Sequence, residues 1–192
     1  MASKTLNTKT GMAGSITMTH FRLLLLGLAV AFGATSIVSA PIALAQEPQT
    51  IGRNSDWIAY TYESGGKTVC YMASTPTKAE GNYSKRGHIY ALVTHHPDAD
   101  SKGEFSIVTG YSYKPDSEVE VEIGGRKFSL FTDKDRAWAP DAKTDSSIVN
   151  AMIKGSNMVV AGVSTRGTKT SDTYSLRGFT ATKKLIDGKC RK

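Results

Sequence analysis

The chain has 192 residues, 24 Lys+Arg against 17 Asp+Glu, a formal net charge of +7 and two cysteines. That length suits one domain with one core. The basic excess is too thinly spread for a nucleic-acid binder, which concentrates its cations on one face.

The first 22 residues are polar with scattered lysines and end on Arg22. Residues 23–45 then carry no charge and open with Leu23-Leu24-Leu25-Leu26. Ala43-Leu44-Ala45 has the small-x-small pattern of a signal-peptidase site, so cleavage is expected between Ala45 and Gln46. The leading part is long for such a signal, and Met12 or Met18 are alternative starts. The uncharged run could also cross a bilayer, but Gly, Ala, Ser and Pro41 dilute it toward its end and favour a cleaved leader. No cysteine stands near the cleavage site, which argues against a lipoprotein. Removing residues 1–45 takes away three of the 24 basic residues (Lys4, Lys9, Arg22) and none of the 17 acidic ones, leaving a mature excess of +4. An excess of that size predicts weak contact with an anionic envelope surface.

Residues 46–55 are polar without a period and are expected to form a flexible lead-in to a single domain, 56–192. Residues 56–62 are aromatic and β-branched, reading as a strand that Ser64-Gly65-Gly66 turns into a second, 68–73. Residues 74–87, with Pro76, Gly81 and several charges, are expected to be loop. Residues 88–94 read as a strand buried on both faces, and 105–113 as another. In 118–123 Val119, Val121 and Ile123 alternate with three glutamates, and Gly124-Gly125 supplies a hairpin turn. This pairing sets Ile123 opposite Arg126, Val121 opposite Phe128, Val119 opposite Leu130 and Glu122 opposite Lys127.

After Trp138 and Pro140 comes a helix capped by Thr144 or Asp145, with Ile148, Ala151 and Met152 on one face. Gly155 is expected in the left-handed position that ends it. Residues 157–164 read as a strand, 166–172 as a polar turn, 173–179 as a last strand and 181–186 as a short helix. The class is all-β, an antiparallel sandwich or barrel-like domain of about seven to nine strands with one or two short helices. Once the chain is exported, Cys70 and Cys190 read as a disulfide. It closes a loop large enough to be worth roughly 4–5 kcal/mol by chain entropy.

The order and spacing of several segments resemble the invasion-associated locus B family of bacterial exported proteins. They are Val69-Cys70-Tyr71-Met72, Lys85-Arg86-Gly87, Leu92-Val93-Thr94, Gly110-Tyr111, Phe128-Ser129-Leu130-Phe131-Thr132, Ala137-Trp138-Ala139 and Ala151-Met152. The most specific is Gly162-Val163-Ser164-Thr165-Arg166-Gly167-Thr168, continuing as Asp172-Thr173-Tyr174-Ser175-Leu176-Arg177-Gly178-Phe179. Tyr60 stands where some relatives have a further cysteine, so their disulfide pattern does not transfer whole. The resemblance implies a periplasmic, envelope-associated or secreted protein, named for host-cell invasion by pathogenic members. It implies no catalytic mechanism.

The residues themselves assemble no catalytic, cofactor or metal set. His95 and His96 are adjacent on a strand end and point to opposite sides, so they do not share a metal; His88 with one of them and Asp98 is a weak alternative. Ser64-Gly65-Gly66-Lys67 matches an S-x-x-K string, but its glycines make a hairpin instead of the helical turn that chemistry needs. Gly162-Val163-Ser164 lacks the last glycine of a nucleophile elbow. Arg86, Trp138, Arg166 and Asp172 are the candidate recognition residues, Arg and Trp being the usual anchors of such surfaces. The bland alternative makes Arg166–Asp172 a loop ion pair and Trp138 a core plug. Lys183, Lys184 and the lysines from Lys189 on read as a solvated basic end. The expectation is a non-enzymatic accessory protein that contacts another protein or an envelope component. A small-ligand or enzymatic sandwich and a stress or chaperone-like envelope protein are the alternatives.

Overall fold

The computed structural model describes residues 47–97 and 102–190; the expected leader and its Ala45–Gln46 cleavage site lie outside the described residues. In chain order the elements are β1 (Gln49–Asn54), β2 (Trp57–Ser64), β3 (Lys67–Ser74), β4 (Lys78–Gly81), β5 (Tyr90–His95), β6 (Lys102–Val108), β7 (Glu118–Ile123), β8 (Arg126–Asp133), β9 (Arg136–Trp138), α1 (Ala142–Lys154), β10 (Asn157–Val163), β11 (Lys169–Ser175) and α2 (Phe179–Lys189). The eleven strands form one sheet in the order β1-β2-β3-β5-β6-β9-β8-β7-β10-β11-β4. Every ladder is antiparallel.

Alternation along each strand decides which side chains go inward. Across the ladders Ala59 faces Met72, Met72 faces Val93, and Val93 faces Phe105. All four are fully buried, so one apolar row runs across four strands. A second row joins Ile123 to Met158 and Val121 to Val160. The sheet bends round on itself. Trp57 Nε1 donates to Ser175 O at 3.0 Å, and Asp56 N donates to Arg177 O at 3.4 Å. These bonds tie β2 to the end of β11, although the two strands stand near opposite ends of the order. Both helices put apolar faces into the same core. α1 contributes Ile148 and Met152, and α2 contributes Ile186 and Phe179, whose ring meets Trp57 edge-on at 5.0 Å. Cys70 and Cys190 are bonded at 2.06 Å, anchoring the end of α2 to β3.

The all-β class holds, with more strands than the seven to nine expected. Three of the additions are short or polar. Gln49–Asn54, read as a flexible lead-in, pairs with β2 as an edge strand. Lys78–Gly81, inside the expected loop 74–87, pairs with β11. Arg136–Trp138 bridges β6 and β8. The 118–131 hairpin has the expected register, with Gly124 and Gly125 at φ 56° and 78°. Lys127 Nζ, however, reaches diagonally to Glu120 Oε1 at 2.9 Å instead of directly to Glu122.

Two details of α1 differ from expectation. Its cap is Asp141, whose Oδ1 accepts from Thr144 N at 2.7 Å. Asp145 turns inward and accepts from Phe105 N at 2.8 Å, satisfying a strand N–H beside the helix. Gly155 is extended, at φ −86° and ψ 164°, and not left-handed. Space requires it: a Cβ there would sit 2.8 Å from Ile123 Cγ2 and 3.0 Å from Leu176 Cδ1. Residues 88–94 were expected to be buried on both faces, but β5 buries only alternate residues, leaving Tyr90, Leu92 and Thr94 half-exposed.

Candidate functional site

The expected polar turn 166–172 is the largest departure from the sequence reading, and it builds the site. The turn is confined to residues 164–168, and β11 begins at Lys169. Thr170, Asp172 and Tyr174 then point inward in alternation, all of them buried. Asp172 pairs with Val160 across the ladder, and Val160 with Val121. A carboxylate in so apolar a row requires a counter-charge.

Arg86, from the loop after β4, supplies it. Its Nη1 donates to Asp172 Oδ1 at 2.7 Å and its Nη2 to Oδ2, a bidentate pair with side chains only 4% and 1% exposed. Nε donates to Thr109 O at 2.7 Å and Nη2 to Thr109 Oγ1 at 3.0 Å. The guanidinium also lies 5.4 Å from the Tyr83 ring centre and 5.0 Å from that of Tyr111. Burial opposes its charge, but the hydrogen bonds and charge of Asp172 outweigh that and raise its pKa above the ordinary value. Two inner tyrosines pack behind this pair. Burial above all pushes the Tyr113 and Tyr174 phenols far up, so both stay neutral.

Above the pair opens a cleft of about 560 Å³. One wall is residues 82–86, another is Tyr111 and Ser112, and the third is the β10–β11 turn with Thr170. Glycines bring the walls together. Gly87 N donates to Gly110 O at 2.8 Å, and Gly110, at φ 74°, leaves no room for a side chain: a Cβ would sit 2.6 Å from Gly87 O. The turn is held by Ser164, whose Oγ accepts from Arg166 N at 3.3 Å and Thr168 N at 3.2 Å. Thr165 N donates to Ser112 O at 2.9 Å, locking the turn to the second wall.

Of the four residues singled out in sequence, Arg86 and Arg166 line this cleft and Asp172 lies beneath it. The expected Arg166–Asp172 ion pair does not form, because Asp172 points inward to Arg86 while Arg166 is exposed. Trp138 does not line the cleft, and it is not a core plug. It is half-buried on the outer face of the sheet, stacked at 5.7 Å on Phe131, itself 50% exposed. Tyr60 and Tyr71 stack at 5.0 Å on the same face.

A model of the invasion associated locus B (IalB) protein family matches residues 57–187. The chain belongs to that family. In fold it is similar to the crystal structure of invasion associated protein B from Bartonella henselae, with a TM-score of 0.52 and 17% identity over 73% of this chain and 97% of that one. No curated protein sequence matches it. Three segments that carry the IalB resemblance in sequence, around Lys85-Arg86-Gly87, Gly110-Tyr111 and residues 162–168, meet at the cleft. Sequence reading missed Tyr83 and Tyr111 as the rings flanking Arg86. It also missed the inward face of β11, for which the alternation Thr170, Asp172, Tyr174 against Ser171, Thr173, Ser175 was the available signal.

His95 and His96 diverge as expected. His95 is buried with Nε2 2.8 Å from Asp187 Oδ1, and His96 faces Glu104 at 3.4 Å. Lys183, read as part of a solvated basic end, donates to both oxygens of Asp187 at 2.8 Å. Burial works against the Asp187 carboxylate, but its bonds from Lys183 and His95 prevail and hold its pKa below the ordinary range.

Proposed function

We propose that this IalB-family chain is an exported, envelope-associated accessory protein that acts by holding an envelope component in the Arg86 cleft and not by transforming it. The observation that carries the reading is the charge layout of the cleft. Its floor is already neutral, because Arg86 and Asp172 satisfy each other, whereas Lys85 and Arg166 on the rim are exposed and have no ion-pair partner among the described residues. Such a site attracts an anion and offers little chemistry. Of its hydroxyls, Ser164 Oγ is occupied in accepting two backbone N–H groups and those of Tyr111 and Thr170 bond each other, and neither histidine nor a free carboxylate lines the cleft. The apolar, cleavable pattern of residues 23–45 and the Cys70–Cys190 bond support the exported address.

The test is retention of the oxidised mature protein on native envelope fractions. Retention at low salt that falls as salt rises is expected, together with a several-fold loss in the K85Q/R166Q double variant. Equal retention of wild type and double variant, or none at any salt, would overturn the proposal.

A further inference from the structure

We infer that the cleft takes a short acidic saccharide, a sugar chain bearing carboxylate or phosphate groups, with Lys85 and Arg166 meeting the charged group. The inference rests on the contact reading above and names the ligand. Eight of the twelve lining residues carry a hydroxyl and none has an aliphatic side chain, so the walls offer polar partners to a polyhydroxylated ligand and no seat for an acyl chain or an apolar peptide anchor. The volume falls within the roughly 300–1,000 Å³ of small-ligand sites. Tyr83, 37% exposed, adds an aromatic ring to the wall.

Charge selects the acidic class. With Asp172 paired beneath, no carboxylate balances Lys85 and Arg166, and a neutral sugar would leave both cations unused. An acidic peptide fits less well. Extended peptides bind by adding to a free strand edge or by filling apolar pockets. Here the lining is loop and turn, and its one strand residue, Thr170, is already flanked by Gly81 and Gly162. The arrangement is also set before binding. Ser164 and the Thr165–Ser112 bond fix the turn that carries Arg166, and Arg86 fixes the loop that carries Lys85. Arg86 spends four donor contacts on Thr109 and Asp172. It is therefore a positioning residue and not the group that meets the ligand.

The experiment is titration of the oxidised mature protein, by calorimetry and amide chemical shifts, with an oligogalacturonate, a phosphorylated mannan oligosaccharide, neutral maltotriose, inorganic phosphate and oligoglutamate. Binding of one or both acidic saccharides is expected, the two arms separating carboxylate from phosphate recognition. Shifts should concentrate at residues 82–86 and 164–168, and K85Q/R166Q should bind about tenfold more weakly at an unchanged unfolding midpoint. Maltotriose binding as tightly as either acidic saccharide would overturn the inference, as would phosphate or oligoglutamate binding more tightly than both. If envelope retention depends on Lys85 and Arg166 while neither acidic saccharide binds, the ligand class falls and the contact reading stands. If saccharides bind but K85Q/R166Q is retained on envelopes like wild type, the contact reading falls instead.

Discussion

Asp172 and Asp145 show how two buried carboxylates in one core can have opposite standing. Asp172 is matched by a guanidinium held in place by Thr109 and flanked by two rings. Breaking one side of a buried pair leaves an uncompensated charge, so D172N should lower unfolding stability by about 3–5 kcal/mol, and R86M/D172L should lose less than D172N alone. Urea midpoints of the three proteins check this. Among the described residues Asp145 accepts from one backbone donor, Phe105 N, and no cation is bonded to it. Burial raises its pKa, against the pull of that hydrogen bond. The folded protein thus holds the Asp145 proton more tightly than the unfolded chain does. Its ionisation costs stability as pH rises from the ordinary carboxylate value up through the raised one, and the cost persists above that. D145N keeps an acceptor for Phe105 and removes this part of the pH dependence, whereas D145A orphans the N–H and should cost about 1–3 kcal/mol. Denaturant titrations of both variants at acidic and neutral pH separate the two effects.

At the scale of elements, the 118–131 hairpin was legible because three signals agree there: period-2 apolar residues, a Gly-Gly turn and opposite charges on the outer face. The first half of β11 was not, because its inward positions Thr170 and Asp172 are polar and such a face reads as a turn until its partners are known; the last strand was expected at 173–179 and runs instead over Lys169–Ser175. α2 was placed but cut short, since its start is set by packing. Gly178 caps it at φ 87° with no side-chain bond, and a Cβ there would lie 2.0 Å from the backbone oxygen of Asn54. G178A must therefore displace α2 from the turn between β1 and β2. A loss of more than about 2 kcal/mol is expected from the positive φ and the clash together. Gly65, also at positive φ but with open space around it, provides the control: G65A should cost only the left-handed penalty of about 1–2 kcal/mol, less than G178A. Thermal midpoints measure both.

For the whole molecule, the Cys70–Cys190 bond spans a sequence separation of 120 and fastens the last helix to the third strand of the sheet. Reduction should lower stability by about 2–5 kcal/mol, read as the shift of the guanidinium midpoint with and without reductant. The proposed export adds a mass prediction: protein recovered from the envelope should begin at Gln46 and gain mass on reduction, and full-length chain with two alkylatable thiols in the cytosol would contradict it.

Local chemistry in the sequence determined the β class, the hairpin register and the presence of α1, because alternation and turn residues act on near neighbours; the cysteine pair was legible only because the chain has two cysteines. Arg86, Arg166 and Asp172 were visible as candidates, but their partnership was not. Arg86 and Asp172 are 86 positions apart and meet only because β4 docks on β11. Which cation an inward carboxylate takes, and which cations it leaves free at the rim, depends on loops converging from three parts of the chain. That choice is made by desolvation in the folded core, where an unpaired charge is intolerable, and no local pattern encodes it.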